Sequence, residues 1–309
     1  MTLLEGLEKR LREECPNLEL RKNEPMNRHT TFRVGGPAAL MALPAGKESD
    51  ACRVMELAME CNVIPFILGN GSNLLVSDQG YDGFVVKLAG TYCHGSVWGN
   101  NLMVNAGMLL SQAVNLALRH GLSGLEWAAG IPGTVGGAVY MNAGAYGGEI
   151  SQVLHQVLAV GEQGGIYRAS ECDFSYRHSI FSEKRALIAE ADFVLIPGDP
   201  AAIQARMADL SAQRKAKQPL EYPSAGSTFK RPAPLPDGTP VYAAALIDQC
   251  GCKGLTVGGA QVSEKHAGFI INRGGATCGD ILALISEVKK RVLDQTGIEL
   301  ELEVKTLGV

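Results

Sequence analysis

Gly130-Ile-Pro-Gly-Thr-Val-Gly-Gly-Ala-Val-Tyr-Met-Asn-Ala-Gly-Ala-Tyr-Gly-Gly148 is the stretch on which the fold turns. Seven of its nineteen residues are glycine, so few side chains remain to build a core. Ile131, Val135, Val139 and Met141 are nevertheless apolar and regularly placed, which marks a packed segment rather than a floppy loop. A packed backbone with few side chains suits a surface pressed against a large planar or phosphorylated ligand. A second glycine cluster, Gly69-Asn-Gly-Ser-Asn-Leu-Leu-Val76, follows the apolar run Val63-Ile-Pro-Phe-Ile-Leu68. Consecutive amides in such a turn can cradle an anion, and Asn70, Ser72 and Asn73 add side-chain donors. Leu74 stands where G-x-G-x-x-G needs its last glycine, so the nicotinamide-type Rossmann fingerprint is absent. Taken alone, this segment reads as an ordinary tight turn.

Around these clusters the chain alternates helices and strands. Leu3, Leu4, Leu7 and Leu11 form one stripe among charged residues, which predicts an amphipathic helix over 2–15 and not a secretion signal. Further helices are predicted over 48–61, 110–119 (ended by His120-Gly121), 199–214 and 279–296. Strands are predicted at Thr31–Val34, Val63–Leu68, Phe84–Leu88, 153–160, 186–195 and Ile298–Leu307, and Pro232–Pro240 reads as a surface loop. The composition is that of a globular protein, with 46% hydrophobic and 19% charged residues in 309. A net charge of −4 argues against nucleic acid, and no apolar run approaches the roughly 18–20 residues of a membrane span. A cytoplasmic location is the expectation. The eight cysteines are scattered without a C-x-x-C pair, so free thiols are expected, no metal site, and at most a redox pair at Cys250 and Cys252.

Three residues invite a chemical reading beside a plain one. Arg177, in Phe174-Ser-Tyr-Arg-His-Ser179, is either a clamp for a carboxylate or oxyanion or a surface ion-pair partner. Ser227, after Gly226, is either a proton donor or a turn former; no G-x-S-x-G elbow supports a hydrolase triad. Glu299, Glu301 and Glu303 alternate with apolar residues, as on one face of a strand, which is a solvated edge unless that face lines a cleft.

In order along the chain, Thr31-Phe-Arg-Val-Gly-Gly36, Leu68–Val76, Gly124–Gly137, Asn142-Ala-Gly-Ala-Tyr146, Tyr176-Arg-His-Ser179, Pro223-Ser-Ala-Gly-Ser227, Gly258–Ala267 and Leu302-Glu-Val-Lys305 together resemble the UDP-N-acetylenolpyruvylglucosamine reductase (MurB) family over nearly the whole chain. The resemblance implies an α+β fold of the vanillyl-alcohol-oxidase type. Two FAD-binding subdomains are expected at 1–88 (with the extreme C-terminus packing on it) and 89–217, and a substrate domain at 218–309. It implies reduction of an enolpyruvyl ether of a UDP-sugar, with FAD as cofactor and NADPH as hydride donor, in peptidoglycan synthesis. Neither nucleic acid, membrane nor an obligate protein partner is implied.

Residue by residue, the resemblance makes Arg177 the cation that stabilises the enolate, Ser227 the proton donor, and Glu303 the acid or orienting group. It assigns FAD contacts to Arg33, Gly69, Asn70, Gly71, Ser72, Asn73, Leu74, Gly130, Ile131, Pro132, Gly133, Thr134, Val135, Gly136, Gly137, Asn142 and Ala143, with backbone amides meeting the pyrophosphate. The substrate side is assigned to Tyr146, Lys217, Lys230, Arg231 and Gln261, and Lys230 or Lys217 is expected to assist Ser227.

Some features depart from the family pattern. The 50-residue step from Arg177 to Ser227 matches a shorter form without a substrate-tyrosine insertion, Pro232–Pro240 is long, and Ala244 stands where glycine is common. Two other readings share part of this evidence: another FAD-dependent oxidoreductase of the same fold acting on a sugar or hydroxy acid, and a non-catalytic nucleotide-sugar binding module.

Overall fold

A computed structural model describes residues 2–45, 48–90 and 92–309. The chain divides into two compact units, each assembled from separated segments. The first comprises Met1–Glu24, Ala39–Asn70 and Gly83–Gln213; the second comprises Pro25–Ala38, Gly71–Asp82 and Arg214–Val309.

The first unit opens with the helix Leu3–Glu14. Thr2 and Glu5 bond reciprocally across its first turn, and Leu7 and Leu11 are fully buried. A four-stranded sheet follows, in the order Glu19–Pro25, Pro37–Leu43, Tyr81–Lys87, Phe66–Leu68, with the last two strands parallel. Of the predicted run Val63–Leu68, regular pairing covers Phe66–Leu68 only, and the preceding Pro65 has no N–H to give. The five-stranded antiparallel sheet runs Gly165–Arg168, Leu154–Gly161, Ala186–Val194, Asn101–Asn105, Gly95–Trp98. Its period-two pattern sends Leu102, Val104, Val157, Ala191 and Phe193 into the core. The helix Leu110–Arg119 buries Leu110, Ala113, Val114 and Ala117, and Gly121 (φ +64°) follows its C-cap His120 as the sequence requires.

The second unit has a core of its own, formed by Phe32, Val34, Leu75, Phe229, Ile247, Ile281, Leu284, Val288 and Leu300 among others. The helix Cys278–Thr296 lies over a small antiparallel sheet of Thr256–Val257, Ala260–Val262 and Ile270–Asn272. That helix starts at Thr277, whose hydroxyl accepts from Asp280 N–H, and stops at Gly297 (φ +72°). The last strand, Lys305–Leu307, pairs parallel with Leu74–Val76.

Two strand expectations are corrected. Thr31–Val34 is a turn: the Thr30 hydroxyl bonds the Val34 main chain, Arg33 N–H donates to Thr30 O, and Arg33 has φ +56°. Its Phe32 and Val34 are core anchors rather than sheet residues. Within Ile298–Leu307, only Lys305–Leu307 is regular strand; the preceding residues meet Thr228–Lys230 through a single bridge, Phe229 to Leu302. Pro232–Pro240 is a loop, as expected, closed on itself by Leu235 N–H to Thr239 O at 2.9 Å. Cys250 and Cys252 are buried in the second core, and burial raises the Cys252 thiol pKa, which suits packing thiols better than a reactive pair.

Candidate functional site

In the first unit, Leu68–Asn70 and Gly130–Gly137 lie against each other. The Asn70 carboxamide donates to Pro132 O at 2.6 Å, and a Cβ on Gly69 would sit 2.6 Å from the Thr134 hydroxyl oxygen. Thr134 caps the short helix Val135–Tyr140. The amides of that helix start are already committed: Val135 to Met108 O, Gly136 to Ala106 O and Gly137 to the Thr134 hydroxyl. These three amides thus have acceptors within the protein and hold the helix start against residues 106–108.

Asn142 is buried and bonds two segments, donating to Ser175 O at 3.2 Å and accepting from Ser151 N–H at 3.0 Å. The turn it holds, Ser175–His178, is closed by main-chain bonds in both directions and carries Arg177 at its third position with φ +57°. The Arg177 guanidinium lies 5.2 Å from the Tyr176 ring centroid and 3.5 Å from Gly144 O. Among the described residues, seven non-glycine residues have positive φ, and four of them (Arg33, Asn142, Tyr146 and Arg177) are residues singled out from the sequence. Such strain persists only where the surroundings over-determine it, and it gathers at sites of function.

In the second unit, segments far apart in sequence are stitched together. Thr31 N–H donates to Gly71 O at 3.1 Å and its hydroxyl to Ser224 O at 2.6 Å. Glu303 N–H donates to Thr228 O at 2.9 Å, while the Asn73 carboxamide donates to Glu303 O at 3.1 Å. Ser227 and Glu303 are thus set on neighbouring main-chain segments; Asn73 bonds the Glu303 peptide directly, and Gly71 is linked to Ser224 through Thr31. Glu303 is half-buried, whereas Glu299 and Glu301 are exposed, so only the last of the three alternating glutamates faces a partly enclosed space.

The substrate-side residues are scattered in role. Lys230 ion-pairs with Glu301 at 3.1 Å. Arg231 lies over Tyr242, 5.2 Å from the centroid. Gln261 bonds back onto its own hairpin at Thr256, 3.2 Å away, Lys217 is exposed at the end of the helix Pro200–Lys217, and Tyr146 is 40% exposed. The sequence reading missed Thr31 and Thr228 as organisers. Both act through bonds to segments distant in sequence, which no local pattern encodes.

The glycine-rich stretches 69–76 and 130–137 contain no Asp or Glu, and their side-chain polar groups are the Asn70 and Asn73 amides and the Ser72 and Thr134 hydroxyls. Within the first unit, Gly69–Asn70 against Gly130–Gly137 is backbone with few side chains and no carboxylate, a surface that fits a flat ring system or a phosphate. Residues 39–170 match the family described as FAD binding domain, and residues 218–307 match the one described as UDP-N-acetylenolpyruvoylglucosamine reductase, C-terminal domain. A UDP-N-acetylenolpyruvoylglucosamine reductase from Caldanaerobacter subterraneus is 46% identical over 309 residues, covering 99% of both chains. The chain belongs to the UDP-N-acetylenolpyruvoylglucosamine reductase family.

The Clostridium novyi reductase is 48% identical over 94% of this chain and 92% of its own. The solved structure of the Thermus caldophilus reductase superposes with a TM-score of 0.77 at 36% identity, covering 94% of this chain and 98% of that one. As a member of this reductase family the chain is an FAD-dependent oxidoreductase, and the expected α+β FAD-binding fold with a C-terminal domain holds. Among the described residues, no helix is long and apolar enough to cross a membrane.

Proposed function

We propose that the chain reduces the enolpyruvyl ether of UDP-N-acetylglucosamine to UDP-N-acetylmuramate for peptidoglycan synthesis, in the cytoplasm, with NADPH as reductant. The observation that carries this reading is the Glu303 N–H to Thr228 O bond of 2.9 Å, which brings the proton-donor and acid candidates onto adjacent main chain. Bound FAD supplies hydride relay from NADPH to the terminal carbon of the enolpyruvyl group.

The chain's own residues handle charge and proton. Hydride addition at the terminal carbon leaves negative charge on the adjacent carbon and its carboxylate. Arg177 meets that carboxylate with a planar fork of donors, an interaction that strengthens as charge develops. Ser227 delivers the proton that completes the new C–H bond, and Glu303 orients the carboxylate or shares that proton. Lys230, held by Glu301, keeps a cation on the serine segment. The flavin-contact residues are proposed on the two glycine-rich stretches with Arg33, Asn142 and Ala143, and the substrate contacts on Tyr146, Lys217, Lys230, Arg231 and Gln261. The division at residues 88 and 217 belongs to the same proposal.

The test is direct. Purified protein should be yellow and should bleach with NADPH in the absence of oxygen. Ser227→Ala should still bleach, with reoxidation by the enolpyruvyl substrate slowed by about 10²–10⁴-fold. Reoxidation of Ser227→Ala at the parent rate removes the serine from the mechanism.

A further inference from the structure

Thr228 is 2% exposed and sits directly after the proposed proton donor. Its three polar groups reach four partner residues. The N–H donates to Gly268 O at 2.9 Å, the hydroxyl accepts from Ile270 N–H at 3.2 Å, and the carbonyl accepts from Glu303 N–H at 2.9 Å and Val304 N–H at 3.4 Å. Ser227 itself bridges to Phe269, between the two residues that Thr228 grips. The Glu303 peptide is held from its other side by the Asn73 carboxamide at 3.1 Å.

We infer that Thr228 is a positioning residue, which fixes the Ser227 segment on one side and the Glu303 peptide on the other, and so sets the spacing between proton donor and acid. This rests on the roles proposed above for Ser227 and Glu303. The side chain matters because Ile270 N–H is buried, with Ile270 1% exposed, and the Thr228 hydroxyl is its acceptor. Removing the hydroxyl leaves a buried donor without a partner, and the segment shifts to find one. A displacement of about 1 Å between reacting groups can cost on the order of 10²-fold in rate.

The experiment compares Thr228→Val, nearly the same shape without the hydroxyl, with Thr228→Ser, which keeps the hydroxyl. Anaerobic stopped flow on the FAD-loaded enzyme measures flavin reduction by NADPH and reoxidation by the enolpyruvyl substrate separately. The expected result for Thr228→Val is reduction within about twofold of the parent and reoxidation slowed about 10–100-fold, with KM little changed. Thr228→Ser should restore reoxidation to within about threefold of the parent. Thr228→Val added to Glu303→Gln should lose less than the product of the single losses, because both act on the same group.

Equal slowing of both half-reactions, or equal damage from Val and Ser, overturns the inference in favour of plain packing. Parent-rate reoxidation in Thr228→Val overturns it outright. Should Thr228→Val not fold with FAD, Thr228→Ala removes the same acceptor and is read the same way. If Ser227→Ala and Glu303→Gln reoxidise at the parent rate, the reading beneath falls and this inference falls with it; if they fail while Thr228→Val does not, only the inference falls.

Discussion

Gly71 and Gly226 show why two glycines with the same backbone habit differ in consequence. Both have positive φ, +61° and +77°, so any L side chain there is strained by roughly 1–2 kcal/mol. At Gly226 an added Cβ meets nothing within 4 Å, so Gly226→Ala should cost little beyond that strain. At Gly71 the same atom would lie 2.1 Å from His29 O, which is main chain and cannot step aside. Gly71→Ala should therefore destabilise by about 3 kcal/mol or more, from strain plus displaced backbone, and should lose FAD; urea unfolding and the flavin spectrum measure both.

His266 offers a different residue-scale prediction. Burial, and then the nearby Lys253 ammonium, hold its imidazole pKa below the usual value of 6.5, and its Nδ1 accepts from Gly268 N–H at 3.2 Å. A histidine whose folded pKa is depressed binds its proton more readily when unfolded. Its contribution is complete above the unfolded pKa and declines as pH falls through about 6.5 toward the lower folded value. The melting temperature should therefore drop between pH 7.5 and 5.5, and His266→Gln, which can still accept from Gly268, should flatten that drop. An unchanged slope in the variant counts against it.

At the scale of elements, the start of the helix Cys278–Thr296 carries unusually many acceptors. Thr277 and Asp280 form a reciprocal cap, and the Asp78 carboxylate accepts from Cys278 N–H at 2.8 Å and Gly279 N–H at 3.0 Å. Asp280 also accepts from Gly259 N–H at 3.2 Å, and its carboxyl pKa is lowered by the Thr277 and Gly259 N–H bonds. Asp78→Ala should cost about 1–2 kcal/mol, the range of a lost helix cap, and Asp78→Asn less, since the amide oxygen still accepts one bond; chemical denaturation measures the difference. The helices were legible in the sequence because apolar spacing and end signals agree, as at Leu110–Arg119 with Gly121 behind it. Thr31–Val34 was not, because β-branched and aromatic residues also serve as anchors in a turn closed by a threonine hydroxyl. Pro37–Leu43 carries its burial on both faces, a pattern that lacks the alternation by which strands are recognised.

For the whole molecule, the legible part of the site was local and the illegible part was long-range. The backbone strain at Arg177 and the contact of Gly69 with Thr134 lie within motifs that stand out by composition. The bond joining Glu303 to Thr228, and the Asn73 clamp on Glu303, link segments that nothing local connects. The same long-range stitching bears on what can fold alone. The second unit takes Pro25–Ala38 and Gly71–Asp82 from the first third of the chain. These segments supply the core residues Phe32, Val34 and Leu75, the parallel partner of Lys305–Leu307, and the Asp78 acceptors for the long helix. Burial of a side chain of this size contributes roughly 1.5–3 kcal/mol, so three losses together approach the whole stability of a small domain. A fragment of residues 214–309, although it contains the whole 218–307 family match, should therefore show no cooperative thermal transition. Fusing 25–38 and 71–82 to that fragment through flexible linkers should restore one, and calorimetry of the two polypeptides decides it: a sharp transition in the bare fragment means that the intercalated segments are dispensable.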